Sequence, residues 1–342
     1  MKKNGIPQIE SIFIELTNYC NFHCKFCPSD VLKREKKFLD KSLVFSILDQ
    51  INELGLEGNL LFHAMGEPFL HKDFIEILKY NPTNLLPEIV TNGFLIDELI
   101  LNELTKVKYK SILLSWQTPT KESFELYRTE YVKYEDYLEK LKLLFEFLLY
   151  GKLKRPVEID FLYTGFSKIK EFKIINSLKE ANAVIAFLRK FIISIKRDID
   201  FIDINLTYDK IIRGSLLELV KGKVYVRFRP IHSFSDFLRN KNKVKKMKKY
   251  TICALPFYQL VILSNGDVVI CCMDYDGEIV LGNIFEKSIK EIWLGEKATK
   301  IRESFFRGIP PQKCCRCQEL SRFNNLSDFN KLFYRTLDFF RK

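Results

Sequence analysis

The alternation of short β-branched runs with longer amphipathic stretches is the feature that most constrains the fold of this 342-residue chain. "SIFIELT" and "PEIVTNG" have the apolar, β-branched character of buried strands, whereas "DKSLVFSILDQINELG" has helical spacing, with Asp40 as its cap and Gly55 at its end. A long helix is predicted over residues 121–150, and a fifth strand, "PVEIDFLYTG", follows it. This order predicts an α/β fold whose parallel strands form an open sheet or a barrel.

The stretch after the fifth strand has a weaker pattern, with a helix predicted over 171–197, a strand over 199–208 and a helix over 209–222. In the next strand, "KVYVRFRPIHSF", the period of two puts Arg227 and Arg229 on the same face as Tyr225. Two arginines on a buried face need an anion, whereas an edge strand would let them meet water. Arg227 and Arg229 are therefore candidate substrate residues, and Tyr163 and His232 join them because they lie at strand ends.

Polar motifs follow four successive predicted strands. A cysteine-rich loop follows the first, and "GEP" (66–68), "TNG" (91–93) and "SWQ" (115–117) follow the next three. The carboxyl ends of parallel strands lie at one edge of the sheet, where ligands bind. We therefore expect the four motifs to converge on one site.

Two groups of cysteines predict metal chemistry. Cys20, Cys24 and Cys27 offer three thiolates, which suits a metal centre with one open position, although a zinc knuckle completed by His23 is an alternative. The second group joins Cys253 with Cys314 and Cys317 and with one of Cys271 and Cys272, since adjacent strand residues face opposite ways. Spacing leaves zinc and an iron–sulfur cluster open for this second site.

Composition predicts a folded cytoplasmic protein, because 47% of the residues are hydrophobic and neither a membrane-spanning run nor a secretion signal is apparent. Nine cysteines fit metal or redox chemistry in a reducing compartment better than disulfides. The net charge of +12 favours anionic partners, and the basic run over 239–250 reads either as a connector or as an RNA- or anion-binding patch. We divide the chain into a barrel domain (1–238), this connector (239–250) and a second cysteine domain (251–342).

Cys20-x-x-x-Cys24-x-x-Cys27 resembles the signature loop of radical S-adenosylmethionine (SAM) enzymes. In that family three thiolates hold a [4Fe–4S] cluster whose fourth iron binds SAM, and SAM cleavage gives a 5′-deoxyadenosyl radical that abstracts hydrogen. "MGEP" resembles the family's Gly-Gly-Glu-Pro segment, whereas Gln117 stands where the family usually has Asp. The resemblance implies SAM contacts for Phe26, Gly66, Glu67, Pro68, Thr91, Asn92, Ser115, Gln117 and Arg128.

The second cysteine group resembles the auxiliary-cluster domain called SPASM, or its shortened form, twitch. The resemblance implies a second [4Fe–4S] cluster on Cys253, Cys271, Cys314 and Cys317, and leaves Cys272 and Cys315 as packed thiols. The implied fold is a partial or six-stranded (β/α) barrel with a small C-terminal twitch- or SPASM-like α+β cap.

The resemblance extends to the branch that oxidises aminocyclitols and sugars. We therefore expect oxidation or epimerisation of a small, anionic, sugar-like substrate, with flavodoxin or ferredoxin as electron donor and without nucleic acid or a membrane as a partner. Maturation of a ribosomally made peptide is one alternative. A non-enzymatic zinc-containing RNA-binding module is another, from a different class.

Overall fold

A computed structural model describes residues 9–167, 171–231 and 253–317 of the chain. Its strands in these ranges are β1 Ser11–Ile14, β2 Asn59–Leu61, β3 Pro87–Thr91, β4 Ser111–Gln117, β5 Val157–Tyr163, β6 Leu217–Val220, β7 Val224–Pro230, β8 Gln259–Ile262, β9 Asp267–Val269 and β10 Val280–Asn283. The helices are α1 Lys41–Glu53, α2 Phe74–Tyr80, α3 Glu98–Leu104, α4 Lys121–Tyr127, α5 Tyr134–Leu149, α6 Leu178–Ile195, α7 Tyr208–Ile212, α8 Leu255–Tyr258, α9 Ile289–Leu294, α10 Glu296–Phe306 and α11 Gln312–Arg316.

All the described strands belong to one sheet, in the order β10-β9-β8-β1-β2-β3-β4-β5-β7-β6. Its central strands β1, β2, β3, β4, β5 and β7 are parallel neighbours, which confirms the predicted six-stranded α/β architecture. The sheet does not close on itself, since β10 and β6 are its edges. The structure is therefore a partial barrel, with helices on one face and an open concave face on the other.

The C-terminal segment extends this sheet. Strand β8 pairs in parallel with β1, from Ser11 opposite Gln259 to Ile14 opposite Ile262, and β9 and β10 continue it in antiparallel fashion. The turn between β8 and β9 contains Gly266 at φ +82, a conformation that glycine adopts without steric strain. The second cysteine group is thus held against the first strand of the barrel.

Strand residues alternate between the two faces of the sheet. Ile12 and Ile14 of β1 are fully buried in the core against the helices, and Phe62, which follows β2, packs edge-on against Phe74 of α2. Each such side chain stabilises the fold by roughly 1.5–3 kcal/mol when it leaves water. The intervening residues, among them Phe13, point to the concave face, so polar side chains there face the interior of the partial barrel.

Three predicted elements are wrong. The helix over 121–150 is two helices, α4 and α5, because the chain leaves the helical path at Arg128, whose side chain is buried against the end of β4. The strand over 199–208 is reduced to a single bridge between Phe201 and Val220. The helix over 209–222 ends at Ile212 and gives way to β6, where antiparallel pairing with β7 overrides the helical propensity of "LLEL".

The remaining differences concern the C-terminal part of the chain. Strand β10 was not predicted, and Cys314 lies in the short helix α11. The basic run over 239–250 and His232 lie outside the described residues, so the division at 238 and 250 stays a prediction. Among the helices that the structure describes, none is long and apolar enough to cross a bilayer.

Candidate functional site

The first thiol loop, residues 17–37, follows β1 and closes on itself through polar contacts. Thr17 Oγ1 donates to the carbonyl of Lys37 at 2.9 Å, and Asn18 Nδ2 donates to the carbonyl of Glu35 at 2.8 Å. Within the loop, the amide of Cys27 donates to the carbonyl of Cys24 at 2.8 Å, which forms a tight turn. The sequence therefore holds the three thiols on a loop whose ends are fixed.

The three thiols of this loop are close enough to influence one another. Burial raises the pKa of Cys20 to about 12 and raises the pKa values of Cys24 and Cys27, and the charge of Cys24 adds to the effect on both neighbours. Within the described ranges, no three His, Cys, Asp or Glu side chains converge on a single ion. A zinc site brings its thiolates to one ion, whereas in an iron–sulfur cluster each thiolate binds a different iron.

Phe26 and Pro68 support the loop by packing. Phe26 is 3% exposed and lies edge-on to Phe172, and Pro68 is buried in the one-turn helix Pro68–Leu70. Gly66 has φ +78, and a Cβ atom there would lie 2.3 Å from the carbonyl oxygen of Thr17. Only glycine therefore lets the "MGEP" segment approach the first thiol loop so closely.

Glu67 is the carboxylate at the centre of the converging strand ends. It is 2% exposed, and its oxygens accept from Thr91 Oγ1 and from the amide of Asn92, both at 2.8 Å. Burial raises the pKa of Glu67 to about 7, against the hydrogen bonds, which lower it. Asn92 Nδ2 also donates to Asn21 Oδ1 of the first thiol loop at 2.8 Å. The predicted convergence of the first three motifs is therefore present.

Arg128 joins the fourth strand end to this group, although its guanidinium turns toward protein oxygens. Its Nη1 donates to the carbonyl of Trp116 at 3.1 Å and to Gln117 Oε1 at 2.8 Å, and its Nη2 donates to the carbonyl of Ser115. Gln117 has φ +57, an uncommon conformation for a residue with a side chain, and Arg128 helps to hold it. SAM contacts by Ser115, Gln117 and Arg128 stay predictions.

The second group of thiols lines one pocket, called here the auxiliary pocket. Its described lining contains the thiols of Cys253, Cys271, Cys314 and Cys317. Burial raises the pKa of Cys271 well above its ordinary value. Cys272 does not line the pocket, as the alternation of strand residues predicts, and the side chain of Cys315 lies outside the described residues.

Cys272 instead links the auxiliary pocket to the barrel. Its side chain packs against the cluster of Val261, Leu263 and Val269, and Phe13 and Ala64 on the concave side of the sheet pack against the same cluster. Because Cys271 precedes it directly, the auxiliary pocket lies one residue from the concave face.

The two arginines of β7 find an anion within the chain. Asp160 of β5 is 7% exposed, and its carboxylate accepts from Arg227 Nε at 2.7 Å and from Arg229 Nε at 2.8 Å. Strand β7 is not an edge, since β5 and β6 flank it. The edge-strand explanation of these arginines is therefore wrong, whereas a ligand anion stays a prediction, because the single carboxylate of Asp160 balances only one of the two arginine charges.

The side chain of His63 faces the concave side of the sheet, whereas that of its buried neighbour Phe62 faces the helices. Its ring is half-buried, and Nδ1 has no hydrogen-bond partner among the described residues. Burial, with a smaller effect of the Arg229 charge, lowers the pKa of His63 to about 4, so the ring is neutral at pH 7.

Tyr163 does not join this cluster. It is 1% exposed, its hydroxyl donates to the carbonyl of Asn176 at 3.3 Å, and its ring packs against Phe166. It lies three residues from Asp160 along β5 and so faces the other side of the sheet. Tyr163 therefore lies on the opposite face from Asp160, and its expected substrate contact stays a prediction.

Sequence reasoning missed Glu15, which connects the two thiol regions. It is fully buried and accepts from Arg34 Nη1 and Nη2 at 2.7 and 2.6 Å, from the amide of Met65 at 3.0 Å and from the amide of Ser264 at 2.9 Å. Arg34 also contacts Ser264 Oγ at 3.2 Å. A charged residue directly after an apolar strand was the available signal.

Comparison with known proteins agrees with this geometry. Residues 14–149 match the radical SAM superfamily model, and residues 253–318 match the SPASM iron–sulfur cluster-binding domain. The chain is 22% identical to the S-adenosyl-L-methionine-dependent 2-deoxy-scyllo-inosamine dehydrogenase of Niallia circulans, over 91% of this chain and 93% of that protein. The two matched domains imply SAM and two iron–sulfur clusters as cofactors, which replaces the zinc-module hypothesis.

Two solved structures share the fold. The crystal structure of BtrN in complex with AdoMet and 2-DOIA superimposes with a TM-score of 0.52 and 19% identity, covering 94% of this chain and 95% of that one. The structure of Streptococcus suis SuiB bound to precursor peptide SuiA superimposes with a TM-score of 0.53 and 18% identity, covering 88% of this chain and 68% of that one. At these identities the likeness establishes the fold alone.

Proposed function

Because the chain contains a radical SAM domain followed by an iron–sulfur cluster-binding SPASM domain, we propose that it oxidises or epimerises a sugar-like or cyclitol substrate at a carbinol carbon. The near full-length similarity to a 2-deoxy-scyllo-inosamine dehydrogenase supports this substrate class and favours oxidation. The observation that carries the proposal is the place of the auxiliary pocket, one residue from the concave face. A substrate bound there has an electron acceptor beside it.

The donor sets suit the implied cofactors. Cys20, Cys24 and Cys27 are partly exposed at the converging strand ends, and their burial-raised pKa values describe free thiols that iron would deprotonate. These three would hold the first cluster, and Cys253, Cys271, Cys314 and Cys317 the second. When bound, SAM and the reduced first cluster supply a 5′-deoxyadenosyl radical, and the second cluster supplies an electron acceptor.

The chain itself supplies the shape and polarity of the substrate site. Asp160 holds Arg227 and Arg229 in place. Strands β5 and β7 therefore present hydrogen-bonding groups on the concave face that need not rearrange when a substrate binds. Because Asp160 balances only one of the two arginine charges, this surface suits an anionic group as well as the hydroxyl groups of a ring. The net charge of +12 also favours an anionic group on the substrate.

Loss of the hydroxyl proton needs an acceptor, and His63 has the right state for it. Its ring is neutral at pH 7, it lies on the concave face, and its Nδ1 has no partner in the described part of the chain. A neutral imidazole accepts a proton, whereas the arginines nearby cannot. We assign His63 this role, with flavodoxin or ferredoxin proposed as the source of the reducing electron for the first cluster.

The test uses anaerobically reconstituted enzyme with SAM, a reductant and three substrate panels: cyclitols and aminocyclitols, nucleotide sugars, and peptides. We expect 5′-deoxyadenosine to form with a member of the first panel, deuterium to move from its carbinol carbon into 5′-deoxyadenosine, and a ketone to appear. A product that has lost no hydrogen overall, but in which solvent deuterium has replaced the hydrogen at that carbon, would mean epimerisation. Turnover restricted to peptides would refute the proposal in favour of peptide maturation.

A further inference from the structure

One buried ion pair lies in the lining of the auxiliary pocket. Lys313 Nζ is 2.7 Å from Asp274 Oδ1, and the two residues are 8% and 1% exposed. Among the described residues that line the pocket, these two are the charged ones, since the others are cysteines and the apolar Leu255, Pro256, Ile270, Met273 and Phe305. Their charges therefore act in surroundings that screen them poorly.

Both members of the pair are attached to segments that carry the thiols. Lys313 directly precedes Cys314 in α11, and the amide of Asp274 donates to the carbonyl of Cys271 at 3.0 Å. The Asp274 carboxylate is held further by the amides of Glu278 at 3.0 Å and Ile279 at 2.8 Å. The geometry of both charges relative to the pocket is thus fixed by the backbone.

Lys313 also meets Glu278 Oε1 at 3.0 Å, but this second carboxylate is 43% exposed. Water and salt screen an exposed charge far more than a buried one. The two charges that matter most inside the pocket are therefore the ammonium of Lys313 and the carboxylate of Asp274.

We propose that the Lys313–Asp274 pair sets the reduction potential of the auxiliary cluster, with Lys313 raising it and Asp274 lowering it. A reduced cluster carries one more negative charge than an oxidised one, so a fixed cation stabilises the reduced form and a fixed anion destabilises it. Only the catalytic role of this potential rests on the proposed function. In that role the substrate radical loses its hydroxyl proton to become a ketone, and the auxiliary cluster gains the one electron released.

A purely structural pair would behave differently. If the pair only held α11 near the turn at Asp274, removing either partner would loosen the same pocket, and the two changes would act in the same direction. An electrostatic pair predicts opposite directions. The sign of the effect therefore separates the two roles.

The experiment uses the full chain carrying Cys20→Ala, Cys24→Ala and Cys27→Ala, so that only the auxiliary cluster is present. Its potential is measured by redox titration, with the electron paramagnetic resonance signal of the reduced cluster as readout. Lys313→Gln should lower the reduced-to-oxidised ratio at a fixed potential at least tenfold, a shift of about 59 mV for one electron, and Asp274→Asn should raise it. The double variant should return close to the parent.

Matched controls make the result decisive. Lys313→Arg keeps the charge and should leave the potential near the parent value. Lys300→Gln breaks the exposed pair with Glu296 on α10 and should have no effect. Shifts of equal sign in the two single variants, or no shift at full iron and sulfide content, would overturn the proposal.

If Lys313→Gln fails to retain iron, Asp274→Asn decides alone, because it must still raise the potential. No substrate or SAM cleavage enters this measurement. Failure of the inference is therefore distinguishable from failure of the proposed function, which the substrate panels test.

Discussion

The buried carboxylate of Glu15 gives the sharpest prediction about stability. Four donors converge on it from three parts of the chain: the guanidinium of Arg34 at 2.6 and 2.7 Å, the amide of Met65 and the amide of Ser264. Arg34 is itself 7% exposed at its side chain. Glu15→Gln removes the charge and keeps the size, which leaves the guanidinium buried without its anion.

Breaking a buried pair in this way costs about 3–5 kcal/mol, since the remaining charge is desolvated and uncompensated. For a chain of this size that corresponds to a decrease in melting temperature of roughly 6–10 °C, at about 2 °C per kcal/mol. The assay is anaerobic thermal unfolding of the reconstituted protein followed by circular dichroism. Lys41→Gln is the matched control, because its partner Glu76 is 55% exposed and such pairs are worth about 0–1 kcal/mol.

The double variant Glu15→Gln with Arg34→Met tests the cause. Removing both charges should recover part of the loss, since no isolated charge stays buried. A melting temperature for Glu15→Gln within about 2 °C of the parent, equivalent to about 1 kcal/mol, would refute the reasoning. So would a double variant whose loss equals the sum of the two single losses.

Three further predictions concern the strand-end site and the concave face. Gly66→Ala should prevent iron loading at the first thiol loop and leave the auxiliary cluster intact, because its Cβ would meet the carbonyl of Thr17; iron and sulfide analysis showing both clusters would contradict this. In the cluster-free chain, burial raises the pKa of Glu67 from 4.5 to about 7, so the folded state binds the proton more tightly and the free energy of unfolding should fall as pH rises from about 4.5 to 7. Glu67→Gln should lose that slope in urea titrations across this range, whereas an unchanged slope would assign it to another group. His63→Gln should lower ketone formation at least tenfold, within the 10²–10⁴-fold range of general base catalysis, while 5′-deoxyadenosine still forms; equal losses of both products would point to a structural role.

Sequence was sufficient for the elements whose local signals agree with their tertiary role. Asp40 caps α1 by accepting from the amide of Ser42 at 2.8 Å, and Gly55 adopts φ +57 just after the helix. The parallel strands were recognisable because buried strands require β-branched, apolar runs. The convergence of Gly66, Glu67 and Thr91 also followed from the sequence, because parallel strands bring their carboxyl ends to one edge.

Elements that depend on a distant partner could not be predicted. The segment containing Leu217–Val220 has helical propensity, and only pairing with β7 makes it a strand. The long helix over 121–150 breaks at Arg128 because the guanidinium finds its acceptors on β4. Propensity describes neighbours along the chain, and in both places contacts across the sheet outweigh it.

The sequence by itself determined the α/β architecture and the two groups of thiols. It also indicated the family whose cysteine pattern this spacing resembles. Only the tertiary structure decided where charges meet: Arg227 and Arg229 share Asp160, and Lys313 meets Asp274 beside the auxiliary thiols. The physical reason is that periodicity gives the face on which a side chain lies. The partner of a buried charge is set by strand order and register, which no local pattern contains.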